Sequence, residues 1–138
     1  MKTIGIQIKS TEAIIVVLEK DVSGNITQTK ESAKFGIDDQ TKTNQVRQFR
    51  DQINAAFDSI GAARIGIVAR NANGKGDLAP SPISFKLEGI IQLYEKVDLE
   101  QIWKQTIRAY LKKNVKTVSA KNKYQDDAFD VAYYLISQ

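Results

Sequence analysis

Cysteine and histidine are both missing from this 138-residue chain. Without cysteine there are no disulfides and no thiolate zinc sites. Without histidine the usual general base near neutral pH is gone, along with His-dependent triads and His-ligated metals. Any catalysis would fall to carboxylates, Lys, Tyr, a hydroxyl or a bound metal. Long apolar runs are lacking as well: none approaches the roughly 20 residues that cross a bilayer. Met1-Lys2 leads straight into a strand pattern rather than a signal peptide. These absences imply a cytoplasmic protein with no membrane partner. What remains is ordinary for a globular chain, 42% apolar and 26% charged. It reads as one domain over residues 1–138, large enough to bury a core.

Another absence is local. Between Trp103 and Gln125 there is no acidic side chain but seven basic ones: Lys104, Arg108, Lys112, Lys113, Lys116, Lys121 and Lys123. Residues 1–100 are balanced, with thirteen basic and thirteen acidic groups, so the net charge of +4 hides an uneven spread. A basic surface attracts polyanions, which makes these seven the candidate nucleic-acid-binding residues. Three aspartates follow within five positions, Asp126, Asp127 and Asp130, and open the apolar run Val131-Ala132-Tyr133-Tyr134-Leu135-Ile136. Carboxylates on one helical turn can hold Mg²⁺ or Mn²⁺ beside a phosphodiester. The i, i+3 spacing of Asp127 and Asp130 puts both on one face. Each pattern also has a plainer reading. Acidic groups in a first turn complement the helix dipole, and Lys-rich stretches are commonly solvated faces. Trp103 and Tyr110 read as core, while Tyr124 is free to stack on a base.

Periodicity gives the order of elements. Residues 3–9 alternate, with Ile4, Ile6 and Ile8 on one face and Gly5, Gln7 and Lys9 on the other. Residues 13–18 are aliphatic and fit a strand covered on both faces. Residues 26–35 read as a long polar edge strand, completing a three-stranded antiparallel meander. A helix over 41–60 follows, with Val46, Phe49, Ile53, Phe57 and Ile60 on one stripe and Gly61 as its stop. Residues 64–69 then form a strand, pairing in parallel through that crossover. The Gly- and Asn-containing loop from 71 to 77 lacks the spacing of a Walker A motif. Ser81-Pro82 starts a helix carrying Ile83, Leu87, Ile90, Ile91 and Tyr94 on one face. A short strand is expected between 92 and 97. From Asp98 a helix buries Leu99, Ile102, Trp103, Ile107, Tyr110 and Leu111, with Lys104, Arg108 and Lys112 outward. After a loop over 114–124, the last helix begins near Asp126.

Three antiparallel strands, then helix and strand, ending in an acidic helix, resembles the ribonuclease H-like fold. That implies a mixed α/β sheet of five strands with helices on both faces. The nearer resemblance is to RuvC-type Holliday-junction resolvases. Asp127-Ala128-Phe129-Asp130-Val131-Ala132 resembles their D-A-x-D-A-like motif, whose two aspartates bind metal. Ile4-Gly5-Ile6-Gln7 resembles their opening I-L-G-I-D, and the segment from Thr106 to Leu111 resembles the basic stretch after the fifth strand of phage resolvases. The resemblance implies a Mg²⁺- or Mn²⁺-dependent endonuclease working as a homodimer on nucleic acid.

Two positions depart from the pattern. Gln7 stands at the family's first-strand aspartate, and Arg70 is the nearest match to the glutamate ending its fourth strand. Gln carries no charge for a divalent cation, and Arg opposes one. A plainer reading has the two simply hydrogen-bonding across neighbouring strand ends. The first expectation is therefore a catalytically degenerate, resolvase-like nucleic-acid-associated protein. The alternatives are an active Mg-dependent nuclease, with Glu12, Asp38, Asp39 or Glu88 compensating, and a non-catalytic protein-interaction module.

Overall fold

The computed structural model describes residues 1–71 and 80–138, so most of the 71–77 loop lies outside the described residues. Strands β1 (Lys2–Lys9) and β2 (Glu12–Lys20) form an antiparallel hairpin. Two short strands, β3 (Ile26–Gln28) and β4 (Ala33–Gly36), line the outer edge of β2. Helix α1 (Thr43–Ile60) crosses to β5 (Arg64–Val68), which pairs in parallel with β1. Helix α2 (Pro82–Gln92) crosses to β6 (Leu99–Ile102), parallel to β5. Helices α3 (Lys104–Lys113) and α4 (Asp126–Ile136) complete the chain. The sheet order is β3-β2-β1-β5-β6, with β4 also on β2.

The local chemistry accounts for most of these elements. Gly61 ends α1 at φ 63°, where its N–H donates to the Phe57 carbonyl at 3.0 Å. Glycine holds this left-handed conformation without a Cβ penalty. Pro82 opens α2 directly after Ser81, as the sequence implies. One face of the sheet packs Ile4, Ile6, Ile8, Ile15, Val17, Ile65 and Ile67 against Phe49, Ile53 and Phe57 of α1 and Leu87 and Ile91 of α2. Each fully buried aliphatic side chain is worth about 1.5–3 kcal/mol. The opposite face receives α4 through Ala128, Phe129, Val131, Ala132 and Leu135, all fully buried.

Four expectations are corrected. The polar stretch 26–35 is two strands, not one. Between them the Glu31 N–H donates to the Thr29 hydroxyl, and the Ser32 hydroxyl accepts from the Val17 N–H at 3.0 Å. Thr and Ser side chains here take over hydrogen bonds that a strand would make. There is no strand between 92 and 97; the parallel strand is Leu99–Ile102. The helix expected from Asp98 therefore starts only at Lys104. Leu99, Ile102 and Trp103 fit a helical stripe, but without β6 the free edge of β5 would leave buried backbone groups unpaired. Finally, Trp103 is 50% exposed rather than core. It sits at the strand-to-helix junction, where the chain leaves the sheet.

Candidate functional site

The side chains of β1 that face α4 are Thr3, Gly5 and Gln7, and each meets the helix differently. The Thr3 hydroxyl, fully buried, donates to the Ala132 carbonyl at 2.8 Å. At Gly5 a Cβ would fall on the Ala128 carbonyl oxygen and lie 2.6 Å from the Ala132 nitrogen. Gly66, beside Gly5 on β5, would bring a Cβ to 2.9 Å from Leu135 and Val131 side-chain carbons. The two glycines form a shallow trough in which α4 lies close to the sheet. This approach delivers the first turn of α4 to the carboxyl end of β1. There the Gln7 amide donates to Asp127 Oδ2 at 2.8 Å.

A short turn anchored by one buried side chain fixes where that helix begins. Asn122 and Gln125 form a capping box around the 3-10 turn Lys123–Gln125. The Gln125 side chain, 5% exposed, also accepts from the Gln28 amide at 3.0 Å. Asp127 and Asp130 then face a small recess lined by Val68, Lys104, Ile107 and Arg108. Asp126 points outward and is exposed.

Both inward aspartates carry a cation from the protein itself. Lys104 Nζ is 3.1 Å from Asp127 Oδ2, the oxygen that Gln7 also reaches. Lys116 Nζ is 2.6 Å from Asp130 Oδ1 and 5.5 Å from the Phe129 ring centroid. Arg70 leans away from both. Its guanidinium bonds Ser84 Oγ at 2.6 Å and Glu88 Oε1 at 3.0 Å, and lies 4.4 Å from the Phe85 ring centroid. The plainer reading of Gln7 and Arg70 as bridging neighbouring strand ends is therefore corrected: one binds α4, the other α2. Each turns to the helix covering its own side of the sheet.

The side chains present do not fit a Mg²⁺ or Mn²⁺ site. Such an ion needs oxygen ligands at about 2.0–2.1 Å in octahedral geometry. Here ammonium groups hold both aspartates, and the neutral Gln7 amide donates to one of them. The carboxylates named as compensating candidates are elsewhere. Glu88 accepts from Arg70 and, at 3.3 Å, from Gln101. Asp39 accepts from the Thr41 hydroxyl and N–H, bonds that hold its carboxyl below the usual range. Glu12 and Asp38 are exposed. Among the described residues no three carboxylates converge on a common point.

The seven basic candidates are carried by separate elements. Lys104 and Arg108 border the recess. Lys112 and Lys113 close the last turn of α3, just beyond Tyr110, whose hydroxyl donates to Ser137 Oγ at the far end of α4. Lys116 is committed to Asp130. The Lys121 N–H donates to the Gln28 side chain, which puts Lys121 and Lys123 beside the β3 edge. Nearby, Lys34 of β4 lies 4.3 Å from the ring centroid of Tyr124, so one face of that ring is already covered. Nothing in the sequence signals Lys34, because strand pairing brings it there from ninety residues away. Lys9 was equally invisible: it ends β1 in an open groove shared with Arg70 and Lys104.

The fold these residues occupy is that of the resolvases, ribonuclease H-like, with a sheet of mixed direction between helices. The chain is similar to Thermus thermophilus RuvC in complex with a Holliday junction substrate, with TM-score 0.71 at 9% identity, covering 96% of this chain and 90% of that one. It is also similar to the yeast mitochondrial Holliday junction resolvase Ydc2, with TM-score 0.56 at 7% identity, over 98% and 75% of the two chains. The fowlpox virus Holliday junction resolvase matches with TM-score 0.50 at 11% identity, over 99% of each chain. Residues 1–135 match the family described as protein of unknown function DUF3010, and the chain belongs to that family. No curated protein matches it in sequence.

Proposed function

We propose that this chain is a catalytically degenerate, nucleic-acid-binding protein on a resolvase scaffold. The observation that carries the reading is the pairing of both inward aspartates with lysines, Asp127–Lys104 at 3.1 Å and Asp130–Lys116 at 2.6 Å. In a metal-dependent nuclease these carboxylates hold the cations that activate water and neutralise the leaving oxygen. An ammonium neutralises charge but offers no open coordination position. The fold shared with RuvC and the fowlpox resolvase, whose structures contain Holliday junction DNA, supports nucleic acid as the partner. The exposed Arg108, Lys112, Lys113, Lys121 and Lys123 are the groups on which phosphates would settle. A homodimer is part of the proposal, by analogy with the resolvases the sequence resembles.

The test has two arms. Junction, duplex and hybrid substrates are incubated with Mg²⁺ or Mn²⁺, and the same DNAs are titrated at two salt concentrations. The expected result is binding without efficient cleavage, with affinity falling as salt rises by about 0.9 log units per log unit of salt for each duplex phosphate neutralised. Neutralising Arg108 and Lys112 together should lower that slope. Robust cleavage abolished by Asp127→Asn would instead favour a nuclease with rearranged ligands. Absence of binding at low salt would favour a protein-interaction module.

A further inference from the structure

We infer that the groove at the carboxyl end of β1 and β5 holds a phosphate of an unpaired nucleic-acid strand directly, with no divalent ion between, and that the exposed Trp103, next in the chain to Lys104, stacks on the neighbouring base. The inference rests on the nucleic-acid reading above and specifies its site and ligand. Lys9 from the end of β1, Arg70 from beyond β5 and Lys104 from the start of α3 line one open groove, together with Ser10, Ser81 and Ser84. Three cations thus converge from three separate elements. Lys9 makes no ion pair among the described residues. Lys104 is 46% exposed even while it touches Asp127. Arg70 is held in place by Ser84, Glu88 and Phe85, so it loses little freedom on binding an anion. Its Nε is buried and has no hydrogen-bond partner among the described residues.

The arrangement inverts the usual electrostatics of a metal-assisted phosphate site. Where carboxylates recruit a cation that in turn recruits phosphate, here the fixed cations meet the phosphate themselves. Acidic groups nearby are already engaged in internal pairs: Asp127 with Gln7 and Lys104, Glu88 with Arg70 and Gln101. Among the described residues, an incoming phosphate therefore meets no unpaired carboxylate in this groove. The second half of the site is aromatic. Trp103 follows Ile102, whose carbonyl accepts from the Ala69 N–H at 2.9 Å, so its backbone lies beside the residue preceding Arg70. Its indole is 50% exposed, unusual for a side chain of that size. Stacking of an unpaired base on an exposed aromatic ring beside a cationic track is the general way single strands are held.

Trp103 is the only tryptophan in the chain, so tryptophan fluorescence reports on that side chain alone. The experiment titrates fluorescein-labelled oligothymidylate into the full chain in EDTA at low salt, following anisotropy and, with unlabelled strand, tryptophan emission. Binding that persists in EDTA with quenching of Trp103 is expected. Lys9→Gln combined with Lys104→Gln should weaken affinity at least tenfold and lower the salt slope by about 0.7 for each phosphate no longer neutralised. Circular dichroism should be unchanged, because Lys9 is exposed and Gln7 still satisfies Asp127. Binding with undisturbed Trp103 emission and no effect of the double substitution would overturn the inference while leaving the proposed function standing. Failure to bind in EDTA would overturn its metal-free character. No binding of any DNA would remove both.

Discussion

The two faces of β1 solve the same packing problem in opposite ways. On one, Ile4, Ile6 and Ile8 meet α1 and α2 through side chains alone. On the other, Thr3, Gly5 and Gln7 meet α4 through a hydroxyl, a bare backbone and an amide. The first face is a matter of volume, and hydrophobic cores absorb small changes of shape. The second is a matter of atomic position, because a helix backbone touches a strand backbone with no side chain to give way. The candidate site lies at the end of this second face. Its geometry is therefore set by the least forgiving packing in the molecule.

The contrast can be broken most severely at Gly5. Gly5→Ala drives a methyl into the Ala128 carbonyl and should cost about 3 kcal/mol or more, whereas Ile6→Val on the opposite face should cost about 1 kcal/mol. Urea denaturation of the two variants measures the difference, and equal costs would show that α4 can shift freely. A next test is Gln7→Asp. It replaces a charge-assisted hydrogen bond, worth about 1.5–3 kcal/mol, with two carboxylates facing each other. The variant should melt earlier at neutral pH and recover part of the deficit in millimolar Mn²⁺, since a cation would then have two acidic neighbours. Adding Arg70→Glu should increase that metal-dependent recovery. Thermal denaturation with and without Mn²⁺ reads both effects, and an unchanged melting point in the metal would show that the recess cannot be converted.

Thr3→Val keeps the shape of the side chain but removes its bond to Ala132, and should cost about 1 kcal/mol. A value near zero would mean that the α4 face owes nothing to that polar anchor.

The smallest effect lies at the rim of the opposite face. The Tyr94 hydroxyl donates to Asp58 at 2.8 Å, while its ring packs edge-on to Phe57 at 5.1 Å between centroids. Burial first, and then the bond to Asp58, push the Tyr94 hydroxyl up to about 12 from its ordinary 10.0. A raised value means that the folded protein keeps the phenolic proton more tightly than the unfolded chain does. The contribution is complete below the unfolded value and is lost as pH climbs through the folded one. Stability should therefore decline between about pH 10 and 12, and Tyr94→Phe should flatten that limb. Alkaline denaturation curves of the two proteins decide it, and superimposable slopes would remove Tyr94 as the cause. Asp58 has the opposite sign. The hydrogen bond from Lys96, then that from Tyr94, holds it below the ordinary carboxylate range, so its contribution is lost toward acid pH.

Much of the scaffold was legible in the periodicity. The alternation in β1, the aliphatic run of β2, the stripe of α1 with Gly61 and the Ser81-Pro82 start all carry local signals that tertiary context had no reason to override. β6 was one exception, and the split of 26–35 into β3 and β4 another. Leu99, Ile102 and Trp103 satisfy a helical period, and only the open edge of β5 selects the strand. In the site, the D-A-x-D-A-like motif marked Asp127 and Asp130 as a pair on one face. The partners of those aspartates were not legible. Lys104 and Lys116 stood in the sequence as members of one undifferentiated basic run, with nothing to separate them from Lys112 or Lys123.

The sequence by itself determined most of the order of strands and helices, the stop of α1 at Gly61, and the departure of Gln7 and Arg70 from an acidic pattern. These are properties of single residues and short repeats, fixed by sterics and by charge. The tertiary structure alone decided which cation meets which carboxylate, that Arg70 turns to Ser84 and Glu88 rather than to α4, and that Trp103 stays outside. Such choices depend on distances between residues far apart in the chain. An ion pair forms only where folding brings two charges within a few ångströms, and no local pattern encodes that distance.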